Sequence, residues 1–219
     1  VELIHTVFEP KGAGPHPTIV ALHGWGASAL DLLALAPYVC EGRFLFLCPQ
    51  GNVETPIGPG AIGYGWFPLR LDGPPNIPAF LAARKAVESF VDSAVHRYPI
   101  DQKKLVVLGF SQGGALAYSL GLSRPERFTA LVALSTRLPD ELLERHAPAG
   151  DVSGPAILVQ HGSRDELIDV NRAREAVEKL RGLGMPITYR EYDMGHEINA
   201  RSLNDLSAWL AEKVLFPIG

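Results

Sequence analysis

The run Leu105-Val106-Val107-Leu108 is apolar and β-branched, and it stops at once on Gly109-Phe110-Ser111-Gln112-Gly113. Gly114-Ala115-Leu116-Ala117-Tyr118-Ser119-Leu120 follows without a spacer. This is the pattern of a buried strand, a tight turn and the start of a helix. A serine at the apex of such a Gly-x-Ser-x-Gly turn is a candidate nucleophile. The glycines have a physical reason to be there, because a Cβ at Gly109 or Gly113 would crowd the neighbouring strand or helix. The plainer alternative is a tight strand-to-helix turn that carries an ordinary serine.

The rest of the chain repeats the same alternation. Strands are predicted over Glu2–Glu9, Thr18–Leu22, Phe44–Cys48, Leu105–Leu108, Phe128–Leu134, Pro155–Gln160 and Ile187–Tyr192. Helices are predicted over Ala29–Val39, Ala79–Tyr98, the segment after Ser111, Val170–Leu180 and Ser202–Val214, with a short one over Pro139–His146. The clearest is Ala79–Tyr98, where Phe80, Ala83, Val87, Val91 and Ala94 recur at three- and four-residue steps. Strands this apolar have no solvent face. The expectation is an α/β fold: a mostly parallel sheet of about seven strands with helices on both faces. A closed eight-stranded barrel is disfavoured, since it typically needs ~250 residues and the chain has 219. No linker or repeat divides residues 1–219, so a single domain without a large lid is expected.

Composition narrows the partners. The net charge is −4 with no basic cluster, which argues against nucleic acid. No apolar run reaches membrane-spanning length, so stable membrane insertion is not expected. Val1-Glu2-Leu3-Ile4-His5 lacks the basic and apolar regions of a signal peptide. Cys40 and Cys48 have no metal-binding spacing and sit near apolar runs, as buried free thiols do. These features together predict a cytoplasmic protein. The sequence is compatible with a homodimer as well as a monomer.

In an open α/β sheet, sites form beyond the carboxyl ends of the strands. Four strand ends here carry chemistry: His23-Gly24-Trp25-Gly26, Ser111, His161-Gly162-Ser163-Arg164-Asp165 and, after the last strand, His196. Serine, aspartate and histidine therefore fall on one edge, in the chain order of an α/β-hydrolase. A serine hydroxyl needs a base to take its proton. His196 is the candidate base, since imidazole, with an ordinary pKa of ~6.5, suits proton shuttling. Asp165 is the candidate carboxylate that holds its tautomer. Asp169 and Glu166 are rivals, but Asp169 reads as the cap of the next helix. His23 and His161 each precede a glycine in a tight turn and read as structural. The developing oxyanion needs N–H donors. The Gln112 N–H directly follows the nucleophile, and the loop after Leu22 offers the Trp25 N–H.

Pro49–Pro78 is rich in glycine and proline and carries Tyr64, Trp66 and Phe67. A loop of this length suggests a functional or mobile segment. Its aromatic residues would either meet substrate at the site mouth or pin the loop to the core. Gly58-Pro59-Gly60-Ala61-Ile62-Gly63 matches a dinucleotide-binding pattern, but neither directly follows a strand nor opens a helix, so that reading fails.

Four motifs together resemble those of the phospholipase/carboxylesterase group of α/β-hydrolases, which includes bacterial carboxylesterases and acyl-protein thioesterases. They are Leu22-His23-Gly24-Trp25-Gly26, Gly109–Gly114, His161–Asp165 and Met194-Gly195-His196-Glu197-Ile198, in that group's order and spanning nearly the whole chain. The resemblance implies Ser111, Asp165 and His196 as the catalytic residues, with the N–H groups of Trp25 and Gln112 as the oxyanion hole. It implies hydrolysis of small to medium acyl esters through an acyl-enzyme, or of thioesters or lysophospholipids by the same machinery, with no metal or organic cofactor. A non-catalytic binding protein on this fold is the alternative of a different class. Two departures bear on substrate. Trp25 stands where the group usually has a smaller apolar residue, so its ring would reshape the acyl pocket. The segment around Pro49–Asn52 and Trp66–Pro68 also differs from commoner members.

Overall fold

The computed structural model describes residues 2–69, 76–139 and 154–217. Nine strands occur among them: β1 His5–Phe8, β2 His16–Leu22, β3 Leu45–Pro49, β4 Val53–Gly58, β5 Ala61–Gly65, β6 Ile100–Phe110, β7 Ala130–Leu134, β8 Ala156–Gly162 and β9 Ile187–Tyr192. Four α-helices accompany them: α1 Ile77–Arg97, α2 Gln112–Ser123, α3 Val170–Gly182 and α4 Ala200–Leu210. Seven strands form one sheet in the order β1-β3-β2-β6-β7-β8-β9. Only β1 pairs antiparallel, with β3; every other neighbouring pair in this sheet is parallel.

The two-residue period of the strands sorts their side chains onto two faces. Val20, Leu22, Val107, Leu131, Ala133, Ile157 and Val159 face a core completed by α1, α2 and α3. Ile19, Ala21, Val106, Leu108, Val132, Leu134 and Leu158 face a second core completed by α4 and by the segment Leu32–Cys40. Both faces of the inner strands are thus covered, which is why they read as continuous apolar runs; the edge strand β9 instead exposes Arg190 and Glu191, against the expectation that no strand has a solvent face. Cys40 and Cys48 are buried and unpaired, and burial pushes the Cys48 thiol up to about 12. Among the described residues no helix is long and apolar enough to cross a membrane.

Three expectations need correction. The α-helix expected over Ala29–Val39 is instead a single 3-10 turn, Leu32–Leu35. Its bonds run three residues back, from Ala36 N–H to Leu33 O and from Tyr38 N–H to Leu35 O. Pro37 between them has no N–H with which to continue an α-helix. The long loop after Pro49 contains an antiparallel hairpin, β4–β5, whose turn falls within the glycine-rich decoy motif. The terminal helix ends at Leu210 and continues as one wider turn, Ala211–Leu215. Of the short helix expected over Pro139–His146, residues 140–146 lie outside the described residues.

Candidate active site

Ser111 sits between β6 and α2 with φ 53° and ψ −118°, a conformation that costs a non-glycine residue ~1–3 kcal/mol. The surroundings hold it there. Its N–H donates to Leu134 O at 2.9 Å, and its carbonyl accepts from Gly114 N–H at 3.0 Å. The Thr136 hydroxyl donates to the same carbonyl at 2.7 Å. The close approach foreseen at the glycines is present: a Cβ on Gly113 would overlap the Leu22 carbonyl, and one on Gly109 would overlap the Gly113 carbonyl. Neither obstacle is a side chain that could turn aside. The Gln112 N–H opens α2, where the partial positive charge of a helix N-terminus favours a developing anion.

The carboxylate and imidazole meet as expected. Asp165 Oδ2 lies 2.8 Å from His196 Nδ1, and Oδ1 accepts the N–H groups of Leu167 and Ile168, each at 2.9 Å. One oxygen is therefore fixed by the backbone and the other faces the imidazole. The Asp165 side chain is fully buried, while the His196 side chain is 14% exposed. The rival Asp169 is the N-cap of α3, accepting from Asn171 N–H at 2.8 Å. The Phe110 ring, next to Ser111 in the chain, lies 4.8 Å from the His196 ring.

His23 and His161 are both buried. His23 Nδ1 lies 2.7 Å from Gly24 O, and its Nε2 accepts the Gly51 N–H at 3.0 Å. That pattern fits only the neutral ring with its proton on Nδ1. Burial holds the His23 pKa below its ordinary 6.5, opposed by the bond to Gly24 and the charge of Asp31. The folded state therefore binds the proton less readily than the unfolded chain. The stability this contributes is complete above 6.5 and is lost as pH falls through the folded value. The thermal midpoint should drop on acidification from pH 7.5 to 5.5, and drop less in His23→Gln. Equal slopes in the two proteins would remove His23 from the account.

His161 Nε2 lies 2.8 Å from Ile168 O and 3.2 Å from Asp165 Oδ2. The same carboxylate oxygen thus faces two imidazoles. These contacts fit the structural role expected of His161, and its place four residues before Asp165, at the end of β8, accounts for the second of them. Thr136 and the Gln112 side chain were missed, because their partners lie far along the chain.

The aromatic segment is arranged differently from a simple site mouth. Trp66 is 3% exposed; its indole N–H donates to His23 O at 2.8 Å, and its ring lies 5.0 Å from the His23 ring. Its expected role as a substrate contact gives way to the alternative, pinning the loop. Gln112 Oε1 accepts the Trp66 N–H at 2.8 Å, and Gln112 Nε2 donates to Phe67 O at 2.7 Å. Phe67 is half-buried against Phe80, with ring centroids 5.2 Å apart. Tyr64 is half-buried, and its backbone exchanges bonds with Gly26 and Ala27 at 2.9 and 2.7 Å. Trp25, also half-buried, lays its ring where a Cβ on Gly65 would stand. The hairpin and the loop after β2 are therefore one packed unit. Among the described residues, no group of three or more His, Cys, Asp or Glu side chains is placed to hold a metal ion.

The chain matches the phospholipase/carboxylesterase family over residues 4–214. It is 23% identical to acyl-protein thioesterase 1 of Gibberella zeae over 203 residues, covering 88% of this chain and 85% of that protein. The solved structure of esterase PE8 is similar with a TM-score of 0.85 at 27% identity, covering 97% of this chain and 100% of that one. The Bacillus cereus carboxylesterase has the same fold, with a TM-score of 0.79 at 22% identity over 95% of this chain and 93% of that one.

Proposed function

This chain belongs to the phospholipase/carboxylesterase family of hydrolases, and from that premise we propose that it is a serine carboxylesterase for small to medium acyl esters. The observation that carries the reading is the 2.8 Å contact between His196 Nδ1 and an Asp165 carboxylate whose second oxygen is already fixed. A base oriented in this way keeps its Nε2 lone pair free for a serine proton. In the proposed reaction Ser111 Oγ attacks the ester carbonyl and passes its proton to His196 Nε2. The N–H groups of Gln112 and Trp25 receive the oxyanion. Collapse of the intermediate breaks the carbonyl–alkoxy bond, and His196 returns the proton to the leaving alcohol. A water activated by the same imidazole then releases the acid from Ser111.

The similarity to a thioesterase supports a second reading, cleavage of acyl thioesters by the same residues. A fluorophosphonate probe, followed by rates on p-nitrophenyl esters of increasing acyl length beside acyl-CoA, tests both. The expected result is labelling at Ser111 and fastest turnover on short and medium esters. Faster turnover of acyl-CoA than of every ester would transfer the assignment to thioesters. A protein that is neither labelled nor active would be a binding protein on a hydrolase fold.

A further inference from the structure

A cavity of about 250 Å³ lies against His196. Its apolar wall is Leu32, Leu35, Phe110 and Ile198; its polar lining is Asp31, Glu197 and the His196 imidazole. We propose that this cavity receives the alcohol portion of the ester and favours a cationic alcohol, such as a substituted ammonium, over an anionic one. The inference rests on the serine-hydrolase reading and assigns the leaving-group side of that same site.

Chemistry fixes which end of the ester belongs here. The imidazole that takes the serine proton must hand it to the departing oxygen, so the alcohol has to lie within hydrogen-bond reach of His196. The cavity is lined by that ring. The N–H groups assigned to the acyl oxygen come from Trp25 and Gln112, and neither residue lines the cavity. Its volume leaves room for a compact branched alcohol.

The charge preference follows from the lining. Asp31 and Glu197 are exposed, and neither is in an ion pair with a described residue. No lysine or arginine lines the cavity. The nearby Arg164 and Asp193, from the loops after β8 and β9, are paired with each other at 2.7 Å. An aromatic ring can attract an ammonium group, and Phe110 lines the cavity together with the two carboxylates. An anionic alcohol would meet both carboxylates with nothing to offset them. Because the carboxylates are exposed, each should act only a few-fold and weaken with salt.

The test uses three acetate esters with one acyl group: the choline ester, its uncharged isostere 3,3-dimethylbutyl acetate, and the anionic 3-sulfopropyl acetate. At low ionic strength kcat/KM should be highest for the choline ester and lowest for the sulfopropyl ester, with at least a roughly fivefold gap between them. In the double variant Asp31→Asn, Glu197→Gln the choline-to-dimethylbutyl ratio should fall several-fold. In the unaltered protein 0.5 M NaCl should move that ratio the same way. Leu35→Trp, which fills the cavity, should cut kcat/KM for the dimethylbutyl ester about tenfold relative to methyl acetate. Hydrolysis of all three esters with ratios unmoved by the variants and by salt overturns the cavity assignment alone. Absence of any hydrolysis together with absence of fluorophosphonate labelling removes the premise instead, so the two failures are distinguishable.

Discussion

Ser111→Ala is expected to lower kcat on an activated ester by about 10⁵–10⁶-fold, the scale seen when a nucleophile acting as part of a unit is removed. The size of the effect follows from the division of labour in the site. In the proposed reaction the oxyanion donors are the backbone N–H groups of Gln112 and Trp25, which the substitution leaves in place, so binding and oxyanion stabilisation should survive. What is lost is the covalent route. The hydrogen bonds that fix residue 111 all use its backbone: to Leu134 O, and from Gly114 N–H and the Thr136 hydroxyl. Alanine keeps each of them, so the thermal midpoint should move little. Activity retained within tenfold of the parent protein, read by initial rates on p-nitrophenyl acetate, would falsify the assignment of Ser111.

Asp165→Asn should lower kcat by about 10⁴-fold, because it inverts the His196 tautomer. The direction of the amide is set by the backbone. Oδ1 of Asp165 accepts two N–H groups, from Leu167 and Ile168. An asparagine must therefore place its carbonyl oxygen there and turn its NH₂ toward His196 Nδ1. The ring then accepts at Nδ1 and carries its proton on Nε2, where it can no longer take one from serine. Asp169→Asn is the matched control. Asp169 caps α3 through Asn171 N–H, and asparagine caps as well as aspartate does, so this variant should keep its rate. Loss of activity in Asp169→Asn with little loss in Asp165→Asn would exchange the two roles.

The parts of this protein that were legible in sequence are those whose signal is local. Thr18–Leu22, Leu105–Leu108 and Ala130–Leu134 reveal themselves because a strand covered on both faces has no need of polar positions. The Asp169 cap was readable because a cap bonds within its own first turn. The failures have equally specific causes. Ala29–Val39 has helical spacing, but spacing does not show that Pro37 stops the ladder after one turn. The β4–β5 hairpin is hidden by Pro56 and by glycines that break its alternation, yet Gly63 and Gly65 are required where strand β5 meets Gly26 and the Trp25 ring. Trp66 advertises an aromatic surface and conceals its direction, which a single bond to His23 O settles. The side-chain bonds of Gln112 depend on partners brought together only by the completed fold.

The β4–β5 hairpin is held to the rest of the molecule at three points. It is fastened by the Tyr64 backbone to Gly26 and Ala27, by the Trp66 indole to His23, and by the Gln112 side chain next to the nucleophile. Moving it would tear all three, and would drag on Gln112, the proposed oxyanion donor. On the proposed reading, the chemistry would need no movement of this hairpin. Stiffness of this kind, set by backbone and buried side-chain bonds, leaves the exposed edges of Tyr64 and Phe67 free to vary without loosening the hairpin.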